Sequence, residues 1–334
     1  MEPVRCGVVG VGMMGSVHVQ VLDALPQAEL VACCDLDPGV PDRLPSGVRF
    51  YSELDRLLGS ETLEAVFVCT PQEHHLEVVA RCLEAGLPVF CEKPIAHDLD
   101  AADAIIGIAR QVGGRLAVGH TMRFEPDYLA LARSVHRGDI GDPVSLSARR
   151  NVPAFEGRLL AHRTTLPVEV GVHDLDLLRW LAGDIVRVQA MPASTASLGE
   201  GAVDAVVATL RFAGGAVGSV EFNWVMNHRS GLAADYRLAV FGTRGAGYVE
   251  MRDPVTRVYS LDENRWLRTH GVFDVGGTVA GSVAVEDRHF LGWARGIRDW
   301  PVSLEDARAA LEVALALDES SRSGAPVSVS QGRR

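Results

Sequence analysis

Along the first third of the chain, short, mostly apolar runs alternate with stretches in which apolar residues recur at helical spacing. The runs are residues 4–9, 30–34, 65–69, 88–91 and 116–118; the helical stretches are 16–25, 73–85 and 101–112. Gly86 and the Gly113-Gly114 pair follow two of these stretches as stop signals. Runs without polar alternation suit strands covered on both faces, and strand–helix alternation at this spacing predicts a doubly wound parallel sheet over residues 1–120.

From residue 121 the pattern changes. Residues 126–136 and 170–181 read as helices, the second stopped by Gly183. Residues 144–150, 206–212, 217–224, 238–241, 247–251 and 255–261 read as strands of one sheet, with a hairpin turn at 213–216. Residues 304–321 read as a long helix that Ser303 and Asp306 open as a capping box and Gly324 ends. Residues 121–334 therefore predict an α+β domain with a largely antiparallel sheet.

A chain of 334 residues, 47% hydrophobic and 22% charged, has core enough for two globular domains. Its net charge of −11 argues against nucleic acid or an anionic membrane as a partner. No apolar run reaches the roughly 18 residues of a membrane span, and the first residues lack the order of a signal peptide. The six cysteines all lie in the first 91 residues, with no CxxC pair, which suits reduced thiols in the cytoplasm rather than a disulfide framework or a zinc site. His74, His75, His120 and His162 are scattered without ligand spacing, so no metal is expected.

Gly10-Val11-Gly12-Met13-Met14-Gly15 follows the first strand and opens the first helix. In that context the glycines permit a tight turn, close approach of a pyrophosphate and close helix–strand packing. Asp35 lies 20 residues past Gly15 at the end of the second strand, placed to accept hydrogen bonds from an adenosine ribose. Leu36, not an arginine, follows it, which favours NAD over NADP. Thr70-Pro71 and Glu92-Lys93-Pro94 fall at the carboxyl ends of the third and fourth strands, where ligands bind in open α/β sheets. Lys93 is the only lysine in the chain; every other basic position is arginine. A lone lysine suggests a task arginine cannot do, because arginine never yields its proton. In the second half, Glu169 and His173 stand four apart, off the stripe formed by Val172, Leu175, Leu178 and Leu181. That pair suits proton transfer, although by itself such a pattern is more often a solvated helix face.

These motifs together resemble the glucose–fructose oxidoreductase, inositol dehydrogenase and rhizopine-catabolism (Gfo/Idh/MocA) family over nearly the whole chain. The resemblance rests on GVVGVGMMGSVH from Gly7, CDLDP from Cys34, VFVCTPQEHH from Val66, EKP from Glu92, GHTMRF from Gly119 and GVHDLDLLRWLAG from Gly171. It implies a Rossmann domain followed by an open-faced sheet domain that builds homodimers or homotetramers. It implies NAD-dependent oxidation of a cyclitol or sugar hydroxyl, with Lys93 and His173 catalytic. Glu169 stands where many members carry aspartate. Gly10, Gly12, Met13, Met14, Gly15, Asp35, Thr70, Pro71, His75 and Glu92 fall at the cofactor, and Arg123 and Asp176 at the substrate. A reductase of a non-sugar substrate, or a hydrolase or sensor that retains NAD without net redox, would use the same scaffold.

Overall fold

The computed structural model describes the chain except Met1, residues 196–197, 200, 227–233, 252–255, 260–263, 268–272, 276–277 and 331–334. In chain order the first elements are β1 (Val4–Val9), α1 (Met13–Ala24), β2 (Ala28–Cys34), β3 (Arg49–Tyr51), α2 (Leu54–Ser60), β4 (Ala65–Val68), α3 (His75–Glu84), β5 (Val89–Glu92), α4 (Leu99–Gln111) and β6 (Leu116–Gly119). There follow α5 (Pro126–His136), β7 (Pro143–Pro153), α6 (Ala154–Leu160), α7 (Val172–Ala182), β8 (Ile185–Ala193), β9 (Ala205–Phe212), β10 (Val217–Met226), β11 (Asp235–Gly242) and β12 (Ala246–Met251). The last are β13 (Thr256–Tyr259), β14 (Asn264–Leu267), β15 (Phe273–Val275), β16 (Thr278–Ala280), α8 (Ser282–Ala294), α9 (Leu304–Ser323) and β17 (Val327–Ser328).

The chain forms two compact units. The first is Met1–Phe124 with His270–Arg308. Its six strands pair in the order β3-β2-β1-β4-β5-β6, all parallel. Every residue of β4, β5 and β6 is buried, as both-face coverage requires. Strand order reverses between β1 and β4, so their carboxyl ends open the crevice where such sheets take ligands. The boundary falls after Phe124 rather than at 120, and residues 270–308 return to this unit instead of belonging to the second half. The reason is packing: Phe290 of α8 lies 4.9 Å from the ring of Phe67 and 5.5 Å from that of Phe90, in one core with Val283, Ala284 and Leu291.

The second unit is Glu125–Thr269 with Ala309–Arg334. Its seven-stranded sheet runs β12-β11-β7-β10-β9-β8-β17, antiparallel except where β7 meets β10. Burial alternates strictly along β9, so one face is packed and the other open. Val206, Ala208, Leu210, Phe222 and Trp224 face inward. A Cβ on Gly171 would come within 2.7 Å of the Phe222 ring, so only glycine lets the chain entering α7 lie so close to the sheet. Residues 255–261 do not continue this sheet as expected. Thr256–Tyr259 pairs with Asn264–Leu267 in a separate two-stranded ladder, and the rest of that expected strand lies outside the described residues. The helix expected at 170 begins at Val172, after a π-turn over Pro167–Gly171.

Candidate active site

The glycine loop leaves β1 at Gly10, whose φ of +86° belongs to glycine. A Cβ there would come within 2.6 Å of the Thr70 backbone nitrogen, and one on Gly15 within 1.9 Å of the Gly10 carbonyl oxygen. Gly12 differs: a Cβ would meet nothing within 4 Å. Gly12 is also the N-cap of α1, where no side chain caps the helix. The first amides, those of Met13 and Met14, are thus left to an anion at the positive end of the helix dipole. Met13 is half exposed beside them, while Met14 packs against the core.

Asp35 stands at the end of β2 and reaches back to the loop. Its Oδ2 accepts the Val11 N–H at 2.6 Å and its Oδ1 accepts the Asp37 N–H at 2.8 Å. The carboxylate keeps lone pairs for further donors. Leu36 beside it is 88% exposed, so no cation is provided next to Asp35 in sequence. Past β4, the Thr70 hydroxyl oxygen is buried without a hydrogen-bond partner among the described residues, an orphan at the mouth of the crevice. Open space over Gly12, uncapped amides, a carboxylate with lone pairs to spare and this orphan all fit a dinucleotide.

Lys93 follows the last residue of β5 and is half buried. The Glu92 carboxylate, expected at the cofactor, turns into the protein interior. It is buried, accepting the Lys93 peptide N–H through Oε2 at 2.9 Å and the His18 Nε2–H through Oε1 at 3.0 Å. The Lys93–Pro94 bond is cis. His75, expected at the cofactor, is 1% exposed. Its ring nitrogens lie 2.9 Å from the Thr70 carbonyl and 3.1 Å from that of Pro94, so it pins the end of β4 to the turn beyond Lys93. Burial pushes it below the ordinary histidine value, so the ring is neutral. Arg123, expected at the substrate, buries its guanidinium: it donates to the Pro301 carbonyl at 3.1 Å and lies 3.8 Å from Asp306. Among the described residues no group of three or more His, Cys, Asp or Glu side chains is placed to hold a metal.

In the second unit, His173 lies in the first turn of α7 and Glu169 in the π-turn before it, both half buried. The wider π-turn means that the two straddle a junction instead of standing on one regular helix face, and such turns recur at functional sites. Asp176 is 1% exposed. Neighbouring Asp174, which sequence reasoning did not single out, is fully buried and accepts from Arg150 Nε at 2.5 Å and Nη2 at 3.4 Å. The Arg150 guanidinium also stacks 4.4 Å from the Tyr236 ring centroid. Burial pushes Asp174 up against the pull of the Arg150 guanidinium, while Asp174 holds Arg150 above its ordinary value, and the paired contact fixes the turn carrying His173 to β7. The missed residues share a signal: polar groups inside apolar stripes, as with Asp174 between Val172 and Leu175, and Asp287 between Val283 and Phe290.

Known proteins resemble the chain over both of its halves. Residues 4–120 match the model of the GFO_IDH_MocA oxidoreductase family, with its NAD-binding Rossmann fold, and residues 128–247 match the C-terminal domain of the same family. The chain is 31% identical to inositol 2-dehydrogenase of Rubrobacter xylanophilus, over 98% of this chain and 94% of that one. It is 26% identical to scyllo-inositol 2-dehydrogenase (NAD(+)) of Bacillus subtilis, over 97% and 96%. A putative myo-inositol dehydrogenase from Sinorhizobium meliloti superimposes with a TM-score of 0.83 at 25% identity, covering 98% of this chain and all of that one.

Proposed function

The chain belongs to the GFO/IDH/MocA oxidoreductase family, and from that premise we propose that it oxidises one ring hydroxyl of an inositol-like cyclitol to a ketone, with NAD as acceptor. The observation that carries this reading is the single lysine at the carboxyl edge of a dinucleotide-binding sheet, its peptide held by a buried carboxylate. The relatives' names supply the substrate class.

Bound NAD would supply the hydride acceptor at C4 of its nicotinamide. The remaining work falls to side chains. His173 as neutral imidazole takes the hydroxyl proton, the task its half-buried position at the start of α7 suits. Lys93 donates a hydrogen bond to the same oxygen while negative charge grows there. Glu169 orients His173 or a neighbouring hydroxyl, and Asp176 binds the substrate. Arg123 and His75 act by holding backbone, Arg123 at Pro301 and His75 at Thr70 and Pro94. Asp35 would repel a 2′-phosphate, and no arginine follows it to offset that, which favours NAD over NADP.

The open face of the seven-stranded sheet exposes Met191, Val207, Phe241 and Tyr248, which supports assembly into a homo-oligomer through that face. Six cysteines without a disulfide support a reducing, cytoplasmic compartment.

The test is NADH formation by the purified chain, followed by absorbance, over a panel of cyclitols, aldoses and sugar derivatives, with Lys93→Arg alongside. Turnover on cyclitols that the variant loses while still binding NAD is the expected result. Turnover on aldoses alone would move the substrate class, and an active Lys93→Arg would remove the role given to Lys93.

A further inference from the structure

Beneath the turn carrying Lys93, four ionisable side chains are buried together: His18 of α1, Glu92 of β5, and Glu286 and Asp287 of α8. His18 has no exposed surface, and its ring sits between two carboxylates. Nε2 lies 3.0 Å from Glu92 Oε1, and Nδ1 lies 2.9 and 3.0 Å from the Asp287 oxygens. The second Glu92 oxygen takes the Lys93 peptide N–H. Around them the medium is aromatic, with the rings of Phe67 and Phe90 5.4 and 5.1 Å from that of His18.

An imidazole with a carboxylate at each nitrogen gives both its N–H groups only as the imidazolium. Burial alone would discharge His18, yet Asp287 and Glu92 raise it well above its ordinary value. Burial would likewise raise Glu92, but the His18 hydrogen bond holds it below the usual carboxylate range. Glu286 goes the other way: burial and the nearby Glu92 push it well up, so it is neutral beside the Thr121 hydroxyl, 2.6 Å from its Oε2. Cys6 on β1, Cys69 after β4 and Cys91 on β5 are raised by burial, with these carboxylates adding to it, and stay uncharged.

A buried ion cluster is a poor device for stability alone, since apolar residues of the same shape do as well or better. This one joins α1, whose uncapped N-terminus would face the phosphates of a bound NAD, to the peptide of Lys93. We propose that His18 is a positioning residue for hydride transfer: it clamps Glu92, and Glu92 holds the Lys93 peptide in register with the cofactor helix. The inference rests on the reading of Lys93 as catalytic.

Three variants of the full chain test it: His18→Phe, His18→Gln and, as a control one turn further along α1, Leu22→Ala. Because Lys93 is the only lysine, an amine-reactive reagent reports on it alone once the N-terminal amine, resolved by peptide mass mapping, serves as internal reference. His18→Phe should change the Lys93 labelling rate several-fold. It should also lower kcat on myo-inositol roughly 100-fold, with little change in KM for NAD, as misplacement of a reacting group does. His18→Gln, whose amide nitrogen reaches the place of Nε2 and donates to Glu92, should recover most of both. Leu22→Ala should lower stability and move neither. Unaltered Lys93 labelling in His18→Phe, or the same change in Leu22→Ala, overturns the proposal. Should His18→Phe not fold, Glu92→Leu must alter labelling while His18→Gln stays near wild type. If the wild-type chain turns over no cyclitol, the substrate reading fails while the labelling still decides the positioning role.

Discussion

A methyl group added at Gly12 would stand in open space, whereas one at Gly15 would collide with the Gly10 carbonyl at 1.9 Å. The two glycines therefore serve different ends. The φ of −72° at Gly12 lies outside the left-handed region and an added Cβ meets no neighbour, so Gly12→Ala should still fold. What it fills is the room a pyrophosphate needs to reach the uncapped amides of α1. Hydrogen bonds to a charged group contribute about 1.5–3 kcal/mol each. Forcing the phosphates off even one of them should weaken NAD about 10- to 100-fold. The assay is a calorimetric NAD titration paired with thermal melting in the absence of NAD. Gly12→Ala should keep a cooperative melt while Kd rises at least about tenfold; Gly15→Ala should lose it. Unchanged NAD affinity in Gly12→Ala would show that the cofactor does not lie on this loop.

Asp35→Ser should weaken NAD and narrow its preference over NADP, measured as the ratio of kcat/KM for the two cofactors; an unchanged ratio would place the discrimination elsewhere. Asp174→Ala leaves the Arg150 guanidinium buried without its carboxylate and should cost about 3–5 kcal/mol in denaturant unfolding; a loss under about 1 kcal/mol would mean that the pair is not ionic. Asp318, half-buried and hydrogen-bonded by the Thr165 hydroxyl, is pushed up to about 6 by burial from an ordinary 3.8. The folded chain thus holds that proton more tightly than the unfolded one, so stability falls as pH rises from about 4 through about 6. Asp318→Asn should remove that fall and gain at most about 3 kcal/mol at neutral pH, read from melts across the range; parallel pH profiles for variant and wild type would contradict it.

Much of the cofactor half was legible because its strands are continuous apolar runs and its glycines stand at a strand–helix turn, both local features. The polar architecture beneath Lys93 was not. His18 and Asp287 are 269 residues apart, and charged residues at 286 and 287 read as solvent-facing until the fold carries α8 back against α1. The same blindness hid Asp174 within a motif whose His173 and Asp176 were noticed. The π-turn before α7 has no period that a helical pattern could report, so Glu169 was placed one regular turn from His173. β8 was missed although Ile185, Val188 and Ala190 are buried while Arg187 and Gln189 are exposed, an alternation broken early by a bulge near Ile185.

Hydride transfer from a cyclitol carbon to NAD is the step that Lys93 and His173 would serve. The direct measurement supplies the purified protein with NAD and an inositol deuterated at its ring carbons, then weighs the reduced cofactor by mass spectrometry. NADH one deuterium heavier, formed alongside the ketone and absent with Lys93→Arg, is the expected result. Undeuterated NADH, or an inositol converted with no reduced cofactor formed, would contradict it.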